Sequence, residues 1–66
     1  MYLIKINKRK EAIFDNAIRD LVYENRIFLN GLEDGYVKDK HDAKHYKTKD
    51  EALNAVSEDW EMVVKA

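Results

Sequence analysis

Thr48-Lys49-Asp50-Glu51 has the Thr-x-x-Glu spacing of a capping box, in which the threonine hydroxyl accepts from the Glu51 N–H and the Glu51 carboxylate returns to Thr48. A helix therefore begins at Lys49. Behind it Ala52, Leu53, Val56 and Trp60 form an apolar stripe, so Trp60 is expected to plug the base of the core as the helix ends. Met62, Val63 and Val64 then read as a closing strand.

The other end of the chain carries a different period. Tyr2, Ile4 and Ile6 alternate with Leu3, Lys5 and Asn7, which places one row on a core and predicts a strand. Ile13, Phe14, Ala17, Ile18, Leu21 and Val22 share about half of a helical circumference, predicting a helix from about Lys10 to Glu24. Lys8, Arg9 and Lys10 oppose the dipole at that start, so the first strand can also run on into it. Ile27 to Leu29 and Tyr36 to Asp39 pair as a hairpin across the turn signals Asn30-Gly31 and Asp34-Gly35. Asp39 to Lys47 reads as an exposed edge or loop, extended over Ala43 to Tyr46. The order is strand, helix, strand, strand, helix, strand, an α+β domain with a small antiparallel sheet and two helices on one face. It matches the ferredoxin-like split βαβ unit, and a three-stranded sheet is the alternative.

With 66 residues the chain is a single domain with a thin core. Its 45% hydrophobic content suffices to fold it, and 12 Lys+Arg against 13 Asp+Glu leave no global field to draw it onto nucleic acid or an acidic membrane. Without cysteine it has neither a disulfide nor a zinc-thiolate site, which suits a reducing compartment. No apolar run spans a bilayer and no signal peptide is written at the amino terminus, so a cytoplasmic location is expected. The chain opens with Met and reads as a complete short open reading frame, and small complete proteins usually act by binding.

Candidate chemistry is sparse. His41, Asp42 and His45 have metal-ligand spacing, but the segment does not read as helix and Lys40 and Lys44 repel a cation, so two solvated histidines are expected. Glu33/Asp34, Asp39/Asp42 and Glu58/Asp59/Glu61 lack the walled cleft that drives carboxyl pKa values apart. Asn30, Glu33 and Asp34 lack the alternation of a calcium loop, Ser57 lacks a nucleophile elbow, and two glycines make no phosphate cradle. The chain is expected to be no enzyme and to need no cofactor or metal.

Two surfaces remain. Tyr23 projects opposite the apolar face of the first helix beside Arg19 and Arg26, the residue types enriched at protein interfaces. Its bland alternative is packing of Tyr23 beneath the turn before Ile27. Lys38, Lys40, Lys44, Lys47 and Lys49, flanked by Tyr36 and Tyr46, combine charge with stacking faces as single-strand binders do, although Asp39 and Asp42 dilute the field. Here the alternative is a charged edge that blocks aggregation.

The segment Ala43-Lys44-His45-Tyr46-Lys47-Thr48-Lys49-Asp50-Glu51-Ala52, the helix leading to Trp60 and the strand Glu61-Met62-Val63-Val64 resemble a pattern of short phage-encoded α+β proteins, and Tyr-Leu-Ile-Lys-Ile at the start fits it. Small phage inhibitors of bacterial RNA polymerase look similar over the same helix and strand. The resemblance implies host takeover by protein binding and transfers no functional residue. The expectation is a protein-binding inhibitor or modulator of a larger bacterial protein, with Tyr23, Arg19 and Arg26, or Tyr36, Lys38, Lys40 and Tyr46, as the contact. Nucleic-acid binding through Lys38 to Lys49 is the alternative, and a homodimer through strand edges or the Tyr23 face is the third reading.

Overall fold

The computed structural model describes residues 1–13, 15–31 and 35–66, and the side chains of all of these except 11–13. Four strands form one antiparallel sheet: β1 (Tyr2–Ile6), β2 (Phe28–Leu29), β3 (Tyr36–Val37) and β4 (Glu61–Lys65), in the order β3-β2-β1-β4. The helices α1 (Asn16–Tyr23) and α2 (Lys49–Ala55) follow β1 and β3, so the expected strand-helix-strand-strand-helix-strand order holds. The split βαβ expectation does not hold. There β1 and β2 would run parallel with a strand between them, whereas here they are direct antiparallel neighbours.

Alternation along β1 puts Ile4 and Ile6, each 0% exposed, under both helices. Ile6 packs with Ile18 of α1, Ile27 and Tyr36, while Ile4 packs with Ala52 of α2 and Tyr46. Leu3 of the opposite row is buried as well, at 1% exposure, so the second face of β1 is not given over to water. Beside β2, the 44–46 segment completes the pairing of β1: Tyr2 and Tyr46 exchange backbone bonds of 2.8 Å in each direction, and the Lys44 N–H donates to the Leu29 carbonyl (3.0 Å).

The first helix starts later than its periodicity suggests. Lys8–Ile13 forms 3-10 turns broken by a non-helical Lys10, and Asp15 then caps α1, its Oδ1 accepting from the Ile18 N–H at 2.9 Å. An aspartate at a helix start satisfies an orphan amide and suits the dipole, and this outweighs the apolar period that runs through it. Ala17, expected in the core face, is consequently exposed; Phe14 lies outside the described residues, as do the side-chain surroundings of Ile13. At the other end Asn25 adopts φ 62°, while Asn25 N–H donates to Val22 (3.0 Å) and Arg26 N–H to Leu21 (2.8 Å). This Schellman closure turns the chain into β2.

The Thr48 arm of the capping box is formed, with Glu51 N–H donating to Thr48 Oγ1 at 3.2 Å. α2 is short, and only part of its predicted stripe is used. Ala52 is buried, Leu53 is 50% exposed, and Trp60 lies beyond the helix, in the turn before β4, packed against the Ile6 cluster.

Candidate functional site

Two features stand out among the described residues: a buried polar knot that ties β3 to β4 across the core face, and an open groove along the β2–β3 end of the sheet.

The knot is built on Glu61, the first residue of β4. Period-two alternation puts its side chain in the inward row with Val63, opposite Ile6, where it is 9% exposed. A carboxylate there is tolerable only if its lone pairs are filled. Oε1 accepts from the backbone N–H of Ser57 (3.0 Å) and Glu58 (3.2 Å), so it holds the chain leaving α2. Oε2 accepts from the Tyr36 hydroxyl at 2.7 Å, and that hydroxyl accepts from Trp60 Nε1 at 3.1 Å. Burial, reinforced by the hydrogen bond to Glu61, pushes the Tyr36 phenol well above its ordinary value. Burial also raises Tyr46, with a smaller push from the Glu61 charge.

A testable pH dependence follows. Tyr36 holds its proton more tightly folded than unfolded, so this contribution is complete below the unfolded value near 10.0 and is lost as pH rises through the folded one. The denaturation midpoint is expected to fall above pH 10, and Tyr36→Phe to flatten that fall while lowering stability below it.

The groove is lined by Glu24, Arg26, Phe28, Val37, Lys38, Asp39, Lys40 and Asp42. Phe28 and Val37 are register partners on one sheet face and form its half-buried apolar floor. Three cations and three carboxylates surround that floor. Arg26 is partly committed, its Nε donating to the Tyr36 carbonyl (3.2 Å) while Nη1 lies 3.9 Å from Glu24. Asp39 Oδ1 accepts from the His41 N–H (2.8 Å), capping the 3-10 turn Lys40–Asp42 that forms one wall.

The sequence-predicted residues divide accordingly. Arg26, Lys38 and Lys40 come together in the groove, and Glu24 links it along the chain to Tyr23, which is 93% exposed with Arg19 one helical turn away. Tyr23 does not pack beneath the turn before Ile27. Tyr36 and Tyr46 do not belong to this surface: each is 8% exposed and lies in the core, Tyr46 with Lys44 Nζ 5.4 Å from its ring centre. Neither ring leaves a face on which a base could stack. His41 lies in the 3-10 turn and His45 in extended chain, so no helical face unites them, and no group of three metal-ligating side chains occurs among the described residues. Of the calcium candidates, Glu33 and Asp34 lie outside the described residues.

Sequence reasoning grouped Glu61 with Glu58 and Asp59 as carboxylates without a walled cleft and gave it no structural role. The available signal was its place two residues before Val63 in the inward row. Phe28 and Val37 were read as strand residues only, because which sheet face stays open depends on strand order.

The fold and the groove together define the chain as a small α+β domain with a four-stranded antiparallel sheet. No protein-family model, curated protein or solved structure matches it. No helix among the described residues is long and apolar enough to cross a membrane.

Proposed function

We propose that the chain is a non-enzymatic protein-binding module that receives, in the Phe28/Val37 groove, an apolar side chain of a partner protein flanked by charges of both signs. The observation that supports this reading is the pairing of an apolar floor with a balanced rim, Arg26, Lys38 and Lys40 against Glu24, Asp39 and Asp42. Such a rim offers complementary sites to a polypeptide that carries both charges, and its acids repel phosphates. Tyr23 and Arg19, adjoining the groove through Glu24, extend the contact as exposed residues of the types that anchor interfaces. The resemblance to short phage proteins points to a larger bacterial protein as partner and to inhibition or modulation as the outcome.

The nucleic-acid alternative through Lys38 to Lys49 loses its stacking platforms with the burial of Tyr36 and Tyr46. Affinity capture from nuclease-treated bacterial lysate separates the two readings. A stoichiometric protein retained by the wild type at moderate salt and lost with Val37→Asp, a change at a half-buried floor position, is the expected result. Captured material that vanishes with nuclease, or a protein held equally by wild type and V37D, would contradict it. Circular dichroism of V37D checks that the fold survives.

A further inference from the structure

The floor of the groove continues across the sheet. Register pairs Val37 with Phe28, Phe28 with Lys5 and Lys5 with Met62. Residues directly opposite in antiparallel strands share a sheet face, so Val37, Phe28, Lys5 and Met62 form one row across all four strands. The helices pack on the other face, over Ile4 and Ile6. Val37, Phe28 and Lys5 are half-buried and Met62 is 36% exposed, so the row stays partly open along its length.

At the far end of this row Lys5, Lys8, Arg9 and Met62 line a second opening. Asn7 shapes it: its Oδ1 accepts from the Arg9 N–H at 3.1 Å and its carbonyl from the Lys10 N–H at 3.0 Å, which holds the turn that carries Lys8 and Arg9. Because α1 begins only at Asn16, these cations do not oppose its dipole. No described residue lining the opening is acidic, and no ion pair among the described residues involves its three cations. The row is therefore unevenly charged, balanced around Phe28 and Val37 and wholly positive around Lys5 and Met62. A concave site lined by one sign of charge concentrates the other.

We propose that the Lys5/Lys8/Arg9 opening receives a carboxylate of the same partner whose apolar side chain fills the groove, so that the partner presents an acidic polypeptide segment laid across the open sheet face. This rests on the groove reading and adds the chemistry of the partner. The Phe28/Val37 floor and the Lys5/Met62 opening are two strand steps apart, about 10 Å at the spacing of paired strands. An extended segment covers that distance in about three residues. The partner motif is an apolar residue with Asp or Glu about three positions away. A polypeptide fits this row better than a phosphate chain does, because Glu24, Asp39 and Asp42 repel phosphates at the groove end. A polypeptide sets an apolar side chain at one end and an anion at the other.

Selection of a displayed random-peptide library on the full chain tests the proposal, with Lys8→Glu/Arg9→Glu and Val37→Asp as parallel baits. Lys8 and Arg9 are exposed, so the double reversal keeps the fold, which circular dichroism checks. The wild type is expected to enrich peptides with Asp or Glu about three positions from an apolar residue. K8E/R9E is expected to bind those peptides about tenfold more weakly and to select Lys or Arg at the acidic position while keeping the apolar one; Lys8→Arg/Arg9→Lys retains the wild-type preference. Apolar peptides enriched without an acid at that distance, or bound equally by K8E/R9E, would overturn the acidic-segment proposal and leave the groove reading standing. Peptides that V37D holds as well as the wild type does, or no enrichment by the wild type, would sink the groove reading and this inference with it. An oligodeoxythymidine strand that binds the wild type at moderate salt and is lost with K8E/R9E would overturn the proposal by assigning the cations to nucleic acid.

Discussion

Replacing Glu61 with alanine is expected to lower stability by about 3 kcal/mol, although a carboxylate in a charged stretch is ordinarily dispensable. The substitution deprives the Ser57 and Glu58 N–H groups and the Tyr36 hydroxyl of their acceptor at once. Tyr36 then stays buried without a partner for its proton, while the turn from α2 into β4 loses its anchor. At ~0.05–0.15 kcal/mol per residue a domain this size has roughly 3–10 kcal/mol in all, so Glu61→Ala leaves a substantial unfolded fraction. Glu61→Gln keeps one acceptor oxygen and is expected to cost about half as much. Urea denaturation of the pair checks this, and equal, small losses would show that the carboxylate does not hold the turn.

Ile6→Ala is expected to cost about 3–4 kcal/mol, at the upper end of what this domain tolerates. Ile6 is 0% exposed and touches the cluster that joins β1 to Ile18 of α1, Ile27 and Tyr36. A cavity there loosens α1, β2 and β3 together, because Ile18, Ile27 and Tyr36 all pack in the one cluster that Ile6 anchors. Leu53→Ala provides the contrast. The sequence stripe assigns Leu53 to the same kind of position, yet it is 50% exposed, and its loss is expected to stay within about 0.5 kcal/mol. The ratio of the two denaturation midpoints, at unchanged m-value, is the readout.

Leu53 and Ile6 also show what the sequence could and could not disclose. β1, β4 and the start of α2 were legible because their signals are local: alternation over a few residues, and a threonine three positions before a glutamate. The start of α1 was misplaced because Ile13 and Phe14 continue the helical period past Asp15, the cap that interrupts it. Strand order was beyond reach, since nothing near β1 or β2 in sequence states that they are antiparallel neighbours. The candidate site depends on that order. Tyr36 and Tyr46 alternate with lysines and so read as exposed, but the positions of β3 and the 44–46 segment beside β2 and β1 turn both rings into the core. The lysines and Arg26 were legible as a surface, and the apolar floor beneath them was not.

The exclusion of both rings from the surface also bears on function. With Tyr36 held by Glu61 and Tyr46 packed on Ile4, the charged 38–49 segment retains lysines without aromatic platforms. The groove, by contrast, gains rigidity from the same knot, because Tyr36 belongs to β3 and Val37 follows it directly. A recognition surface on a strand anchored from behind loses little entropy on binding.

The most direct test of groove recognition is NMR shift mapping of the labelled protein against the partner obtained by capture. The account predicts that the Phe28, Val37, Lys38 and Lys40 amides move most, with Tyr23 and Arg19 at the margin. Shifts confined to Lys44–Lys49, or to the outer face of α1 with the Phe28 and Val37 amides unmoved, would contradict it.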